Sequence, residues 1–146
     1  MAGKSLYLEN AWLQLLFNKV DIAGLASGTI TGQLPNLYLS LHTNDPDSAA
    51  NSQALNETAY PSYARMPLVR TSSGWTITAS VVKPTSIVNF PTSTAGTQGS
   101  PITHVGIGTD PTGPGKLLFS GSLSPTITMA VGVIPQILTT SSVTET

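Results

Sequence analysis

Cysteine is absent from this 146-residue chain. Its absence excludes disulfide frameworks, thiol nucleophiles and cysteine-type zinc sites. Charge is nearly as scarce: Lys, Arg, Asp and Glu make up 9% of the residues, against roughly 25% in an average globular domain. The shortage is greatest in the second half, where Lys83, Asp110, Lys116 and Glu145 are the only charged residues from Thr71 to Thr146. A formal net charge of −1 leaves no basic footprint for nucleic acid or an anionic membrane surface. It also leaves no charge excess of the kind that holds a chain disordered. No apolar run reaches the length of a membrane span. Between Met1 and Phe17 a lysine precedes apolar residues, but Glu9, Asn10 and Gln14 interrupt them, so the segment does not read as a secretory signal. Synthesis and folding in a cytoplasm are therefore expected, and the sequon Asn56-Glu57-Thr58 carries no meaning there.

Hydroxyls stand where charges would be, in runs such as Thr92-Ser93-Thr94 and Thr139-Thr140-Ser141-Ser142. Short neutral hydrogen-bonding groups suit β-structure and close protein–protein contact, because little charge must be desolvated when two such surfaces meet. This is the chemistry of an assembly component rather than of an enzyme. The length favours one domain, 1–146, able to bury roughly 68–70% of its unfolded-chain surface without disulfide or metal.

Hydrophobic periodicity begins helical and then changes. Residues 6–19 place Leu8, Ala11, Trp12, Leu15 and Leu16 on one face and Asn10, Gln14 and Asn18 on the other, with Ser5 as N-cap. Gly24, Gly28 and Gly32 mark a break. The leucines of Leu37–His42 alternate as in a half-buried strand, and 43–61 is polar loop opened by a turn at Asn44-Asp45-Pro46. Residues 64–71 can extend, but Pro67 assigns them to an edge or a bulge. Trp75–Val81 alternates as one strand, and 86–90 is a short one closed by Pro91. Residues 102–109 and 116–123 form a hairpin across the dense turn signals of 110–115. Residues 126–131 and 136–144 give two more extended segments. The expectation is a mainly β chain: one N-terminal helix, then an antiparallel β-sandwich of about eight short strands over 36–144, jelly-roll-like.

Reactive constellations are sparse. His42 and His104 both fall inside predicted strands, and no Gly-x-Ser-x-Gly elbow singles out a serine. Asp45 and Asp47 alternate as calcium ligands would, but the glycine and closing glutamate of a calcium loop are missing, so an Asx-type turn is expected. Gly113-Pro114-Gly115-Lys116 has Asp110 and Leu117 where a phosphate-binding loop needs glycine and a hydroxyl residue, so a hairpin loop is expected. No metal or cofactor is expected. Trp12 and Trp75 lie on apolar faces and read as core; Tyr60 and Tyr63, in or beside the long loop, read as exposed. Arg65, one of only two arginines, can tie a strand to that loop through hydrogen bonds or meet a partner. The segments that interrupt the strand pattern, the helix and the 44–62 loop, supply the candidate contact residues: Tyr7, Asn10, Gln14, Asn44, Asp45, Asp47, Tyr60, Tyr63 and Arg65.

Three segments carry a family resemblance: Leu37-Tyr38-Leu39-Ser40-Leu41-His42-Thr43-Asn44-Asp45-Pro46, Tyr63-Ala64-Arg65, and Thr103-His104-Val105-Gly106-Ile107 followed by Lys116-Leu117-Leu118-Phe119-Ser120-Gly121-Ser122-Leu123. In order and spacing they resemble small β-rich virion proteins of tailed bacteriophages, which include capsid cement and decoration proteins and are often labelled tail-fibre proteins. Val131–Gln136 fits the C-terminal pattern, and the resemblance covers residues 6 to 145. Asp21–Gly32 is an insertion relative to the pattern, and Thr139–Ser142 stands where small apolar residues are common. The resemblance implies a structural protein of the virion with no catalytic residues, first of all a cement protein that self-associates as a dimer or trimer and binds the major capsid protein. A tail-fibre-associated or receptor-binding component, with tail proteins as partners, is the alternative. Nucleic acid and membrane are not expected partners.

Overall fold

The computed structural model describes residues 6–22, 34–47, 52–94 and 99–144. Ser5, most of the 21–32 insertion and parts of the 43–61 and 92–101 loops fall outside them. In chain order the elements are α1 (Leu6–Asn18), β1 (Asn36–His42), β2 (Met66–Val69), β3 (Trp75–Thr78), β4 (Val81–Pro84), β5 (Val88–Asn89), β6 (Ile102–Gly108), β7 (Leu117–Ile127), β8 (Gln136–Ile137) and β9 (Val143–Thr144). The strands make three antiparallel sheets ordered β2-β1-β6-β7, β3-β4-β9 and β5-β8. The chain is mainly β with a single helix among the described residues, as expected, and its open sheets are consistent with a β-sandwich.

The chain divides into two compact units. The first comprises Met1–Asn36, Leu68–Ile87 and Ile137–Thr146. Helix α1 packs on β3, and Phe17 meets Trp75 edge to face with ring centroids 4.6 Å apart. Leu13 and Phe17, one turn apart, are fully buried, whereas Trp12 is 46% exposed. The buried face of α1 is therefore not the one its spacing predicts, and Trp12 is not core. The helix carries apolar residues on both sides, so periodicity alone could not choose between them. Lys19, at a φ of 56°, ends the helix. Arg70 then takes the exposed carbonyl ends, donating from Nε to the Leu16 carbonyl at 2.6 Å and from Nη2 to that of Leu15 at 3.3 Å, which places a cation at the negative end of the helix.

The predicted strand 75–81 is in fact two. Trp75–Thr78 and Val81–Pro84 pair antiparallel, Trp75 opposite Pro84 and Thr78 opposite Val81. The chain reverses at Ala79, whose φ is 53°. Such a two-residue turn normally shows Gly or Asn; Ala79-Ser80 gives no such signal, so the alternation reads straight through it.

The second unit comprises Leu37–Pro67 and Val88–Gln136. Strand β1 pairs with β6 in uninterrupted register from Tyr38–Gly108 to His42–His104. Leu37, Leu39 and Leu41 are buried, as the alternation requires, but Ser40 and His42 on the opposite face are buried too. Strand β1 is thus covered on both sides rather than half-buried. Each leucine side chain contributes at most about 1.5–3 kcal/mol of burial; the polar side needs partners, and finding them builds the site described below. β7 runs for 11 residues through Pro125, where two segments were expected. It lies at the edge of its sheet, where a missing N–H is tolerated. Strand β2, with Pro67, is the other edge, as Pro67 required.

Candidate functional site

The buried polar network of the second unit is organised by Arg65. Its side chain is 3% exposed, and that of Glu57 16%. Nε and Nη2 of Arg65 donate to the two carboxylate oxygens of Glu57, each at 2.7 Å. Nη1 donates to the Asp110 carbonyl at 2.9 Å and to Gln53 Oε1 at 3.3 Å, and Nη2 also reaches the Gly113 carbonyl at 2.7 Å. All five N–H donors of the guanidinium are therefore used. The fork-to-fork pair with Glu57 is the strongest geometry an arginine offers, and it raises the Arg65 pKa further above its ordinary value. One side chain thus joins the end of the long loop to the hairpin connection 109–116. Of the two roles open to Arg65, the structure realises the tie between strand and loop.

Two further groups extend the network. The Tyr63 hydroxyl donates to Glu57 Oε1 at 2.7 Å and accepts from the Leu41 amide at 3.1 Å. Burial and the neighbouring carboxylate push its pKa well above the ordinary tyrosine value. With Thr58 donating from its amide to the Leu41 carbonyl, this covers the part of the β1 edge that β2 leaves open. Gln53, fully buried, donates from Nε2 to the Tyr38 carbonyl at 2.8 Å. A Cβ on Gly108 would collide with the Gln53 amide and lie 2.6 Å from the Lys116 carbonyl, so glycine there leaves room for the glutamine. The Ser52 hydroxyl and the backbone N–H of Gln53 both donate to the Pro114 carbonyl, at 3.0 and 2.8 Å.

One arrangement has the outline of a catalytic pair. Ser40 Oγ lies 2.8 Å from His42 Nε2, and His42 Nδ1 lies 2.9 Å from the Leu55 carbonyl. A carbonyl can only accept, so Nδ1 carries the proton and Nε2 accepts from the serine. That is the tautomer of a nucleophile and its base. Both residues are 0% exposed, and a Cβ on Gly106 would stand 2.8 Å from each of the two paired atoms, so the backbone of β6 seals them. The pair is closed off from solvent with its polar atoms hydrogen-bonded, as in a satisfied core. Burial lowers the His42 pKa from its ordinary 6.5.

The predicted contact residues divide accordingly. Tyr60 is 3% exposed, Tyr63 is half-buried and Arg65 is buried, so the expectation that both tyrosines are exposed is corrected. Their rings pack into the unit, Tyr60 edge to face on Tyr63 with centroids 5.3 Å apart and Tyr63 parallel to Phe90 at 6.4 Å. The Tyr60 hydroxyl donates to the Pro91 carbonyl at 2.8 Å, and burial pushes its pKa up to about 12. Asn44, Asp45 and Asp47 stay exposed and form the expected Asx-type turn. Asn44 Oδ1 accepts from the Asp45 amide at 2.9 Å, and Asp45 Oδ1 from the Asp47 amide at 3.0 Å. No cluster of metal-ligating side chains exists among the described residues. In the first unit Tyr7 is 68% exposed, Gln14 and Asn18 are hydrogen-bonded one turn apart at 3.0 Å, and Asn10 is half-buried with an unpartnered Oδ1. Sequence reasoning missed Glu57, Gln53 and Ser40. The available signal was charge economy: a chain with two arginines does not use them as solubilising surface.

The sequence matches the family described as Podophage GP4 fiber I protein gp80 over residues 3–144. That span is nearly the whole chain, and the protein belongs to this family. Its class is therefore that of phage structural proteins, and a virion location goes with that class. No curated protein matches the chain. No helix among the described residues is long and apolar enough to cross a membrane.

Proposed function

We propose that the protein works by shape and adhesion, as a self-associating component of the phage fibre apparatus, with tail proteins as its partners. In this reading it has no catalytic role, uses no cofactor, and engages neither nucleic acid nor membrane. The observation that carries the reading is the match to a fibre family along nearly the full sequence. The geometry supports it. Arg65 has every donor occupied, the Ser40–His42 pair is sealed, and the loop segments 52–58 and 109–116 are pinned from inside by hydrogen bonds to each other and to Arg65. Pinned loops present a surface whose ordering cost is met before a partner arrives, which favours adhesion. Neutral hydroxyl-rich contacts also tolerate salt better than ion pairs do.

The competing assignment is a capsid cement or decoration protein bound to the major capsid protein. Copy number separates the two. Quantitative mass spectrometry of purified particles should give a stoichiometry matching tail proteins; one comparable to the major capsid subunit overturns the fibre reading in favour of cement. Particles lacking the protein should lose adsorption while keeping heat tolerance, and the reverse pattern again favours cement. Turnover of a surface glycan by the purified protein, abolished by Asp→Asn substitution at Asp45, Asp47 or Asp110, would overturn both.

A further inference from the structure

The two edges of the four-stranded sheet are treated differently. Strand β2 is four residues long and contains Pro67, both of which blunt an edge against pairing. Strand β7 is 11 residues long, pairs with β6 on one side, and has no neighbour on its other side among the described residues. None of its residues is charged. A long uncharged edge is a template for another strand unless something defends it, and β7 has defences only at its ends. Lys116 precedes it, and Pro125 stands near the far end, beside the register shift between Ile102 and His104. Between them, the outer edge of 117–124 pairs with no other strand among the described residues.

That segment is also self-complementary. Its sequence, Leu117-Leu118-Phe119-Ser120-Gly121-Ser122-Leu123-Ser124, is nearly palindromic about Gly121. An antiparallel copy centred there places Ser120 opposite Ser122, Phe119 opposite Leu123, Leu118 opposite Ser124, and glycine opposite glycine. Leu117, Phe119 and Leu123 alternate as half-buried positions, while Ser120 and Ser122 are exposed. The pairing would therefore extend the apolar row on one face and a hydroxyl row on the other. An isologous contact needs a surface that fits itself, and the absence of charge removes the like-charge penalty that self-pairing otherwise carries. Gly121 has nothing within 4 Å of where a Cβ would stand.

We propose that the protein self-associates through β7, which pairs antiparallel with β7 of a second copy about a two-fold axis at Gly121 and joins the two sheets. The proposal rests on the self-association in the functional reading above and assigns it a surface.

Because the chain has no cysteine, a single introduced thiol reports one contact. The full-length Gly121→Cys variant should form an inter-chain disulfide under mild oxidant at least tenfold faster than Thr112→Cys, an exposed loop position. Light scattering on size-exclusion fractions supplies the second arm. The doubly substituted S120K/S122K places lysine opposite lysine and should be monomeric, whereas S120K/S122E places lysine opposite glutamate and should restore the dimer. Both sites are exposed, and unchanged circular dichroism verifies folding. If the unmodified protein is oligomeric but G121C links no faster than T112C, or both double variants keep the original mass, the β7 assignment falls and self-association stands. If the unmodified protein is monomeric at every concentration, both fall.

Discussion

Removing Arg65 tests whether the buried network holds its unit together. In Arg65→Met most of the aliphatic bulk remains, but all five donated hydrogen bonds are lost. The Asp110 and Gly113 carbonyls sit at a connection whose residues 111–114 are exposed, so water can replace what they lose. The Glu57 carboxylate keeps the Tyr63 hydroxyl and loses its bidentate partner. Breaking a buried ion pair on one side costs about 3–5 kcal/mol. With the Glu57 side chain 16% exposed, water reaches part of it, and the lower end, about 3 kcal/mol, applies. For a chain of this length that corresponds to a melting temperature lower by roughly 6–12 °C.

The assay must report on the right unit. Trp12 and Trp75 both belong to the first unit, so indole fluorescence is a poor reporter of Arg65. Urea unfolding followed by circular dichroism, with hydrogen exchange resolved over 52–58 and 109–116, reads the expected loss where it occurs. Glu57→Gln alone should cost a similar amount. The double variant should recover part of it, with a coupling of about 2 kcal/mol, inside the range for residues sharing one network. A cost below about 1 kcal/mol for Arg65→Met, the range of an exposed ion pair, or strict additivity in the double variant, would refute the claim that this pair pins the two loops.

Other expectations follow from the same geometry. Gly108→Ala forces a Cβ onto the Gln53 amide and the Lys116 carbonyl, and backbone cannot yield easily; a loss of about 1–3 kcal/mol is expected by urea titration, and an unchanged midpoint would disprove the close approach. Phe17→Ala should cost about 3–5 kcal/mol and Trp12→Ala far less, since Phe17 is fully buried and Trp12 is 46% exposed; thermal melts showing the opposite order would restore the face read from periodicity. Burial lowers the His42 pKa from 6.5, so just below that value the native state binds fewer protons than the unfolded chain. The contribution is complete above pH 6.5 and is lost as pH falls below it, with a slope of at most about 1.4 kcal/mol per pH unit. Unfolding free energies measured from about pH 7.5 to about 5.5 should fall in that direction, and an imidazole proton resonance of His42 titrating at or above 6.5 would contradict it.

Local pattern carried a large part of the architecture. The alternating leucines of β1, the turn-dense stretch at 110–115, the edge assignment that Pro67 imposes and the Asx turn at Asn44–Asp47 each follow from a short-range rule of spacing or turn chemistry. Where the pattern was ambiguous, tertiary packing decided. A helix apolar on both sides shows its buried face only once Trp75 has met Phe17. A hairpin turn without glycine or asparagine is invisible until Ala79 takes a positive φ. A proline splits a strand on paper but not at a sheet edge that needs no N–H.

The site was less legible, because its members are far apart in sequence. Arg65 stood out by its scarcity, yet nothing nearby in the chain announced that Glu57, Gln53 and the carbonyls of 110 and 113 would converge on it. The sequence by itself determined the chemistry of this protein: no thiol, few charges, abundant hydroxyls, strands of short period. Only the tertiary structure decided which of the few polar groups face inward, because a guanidinium is held out of water only where the fold brings five acceptors within its reach at once.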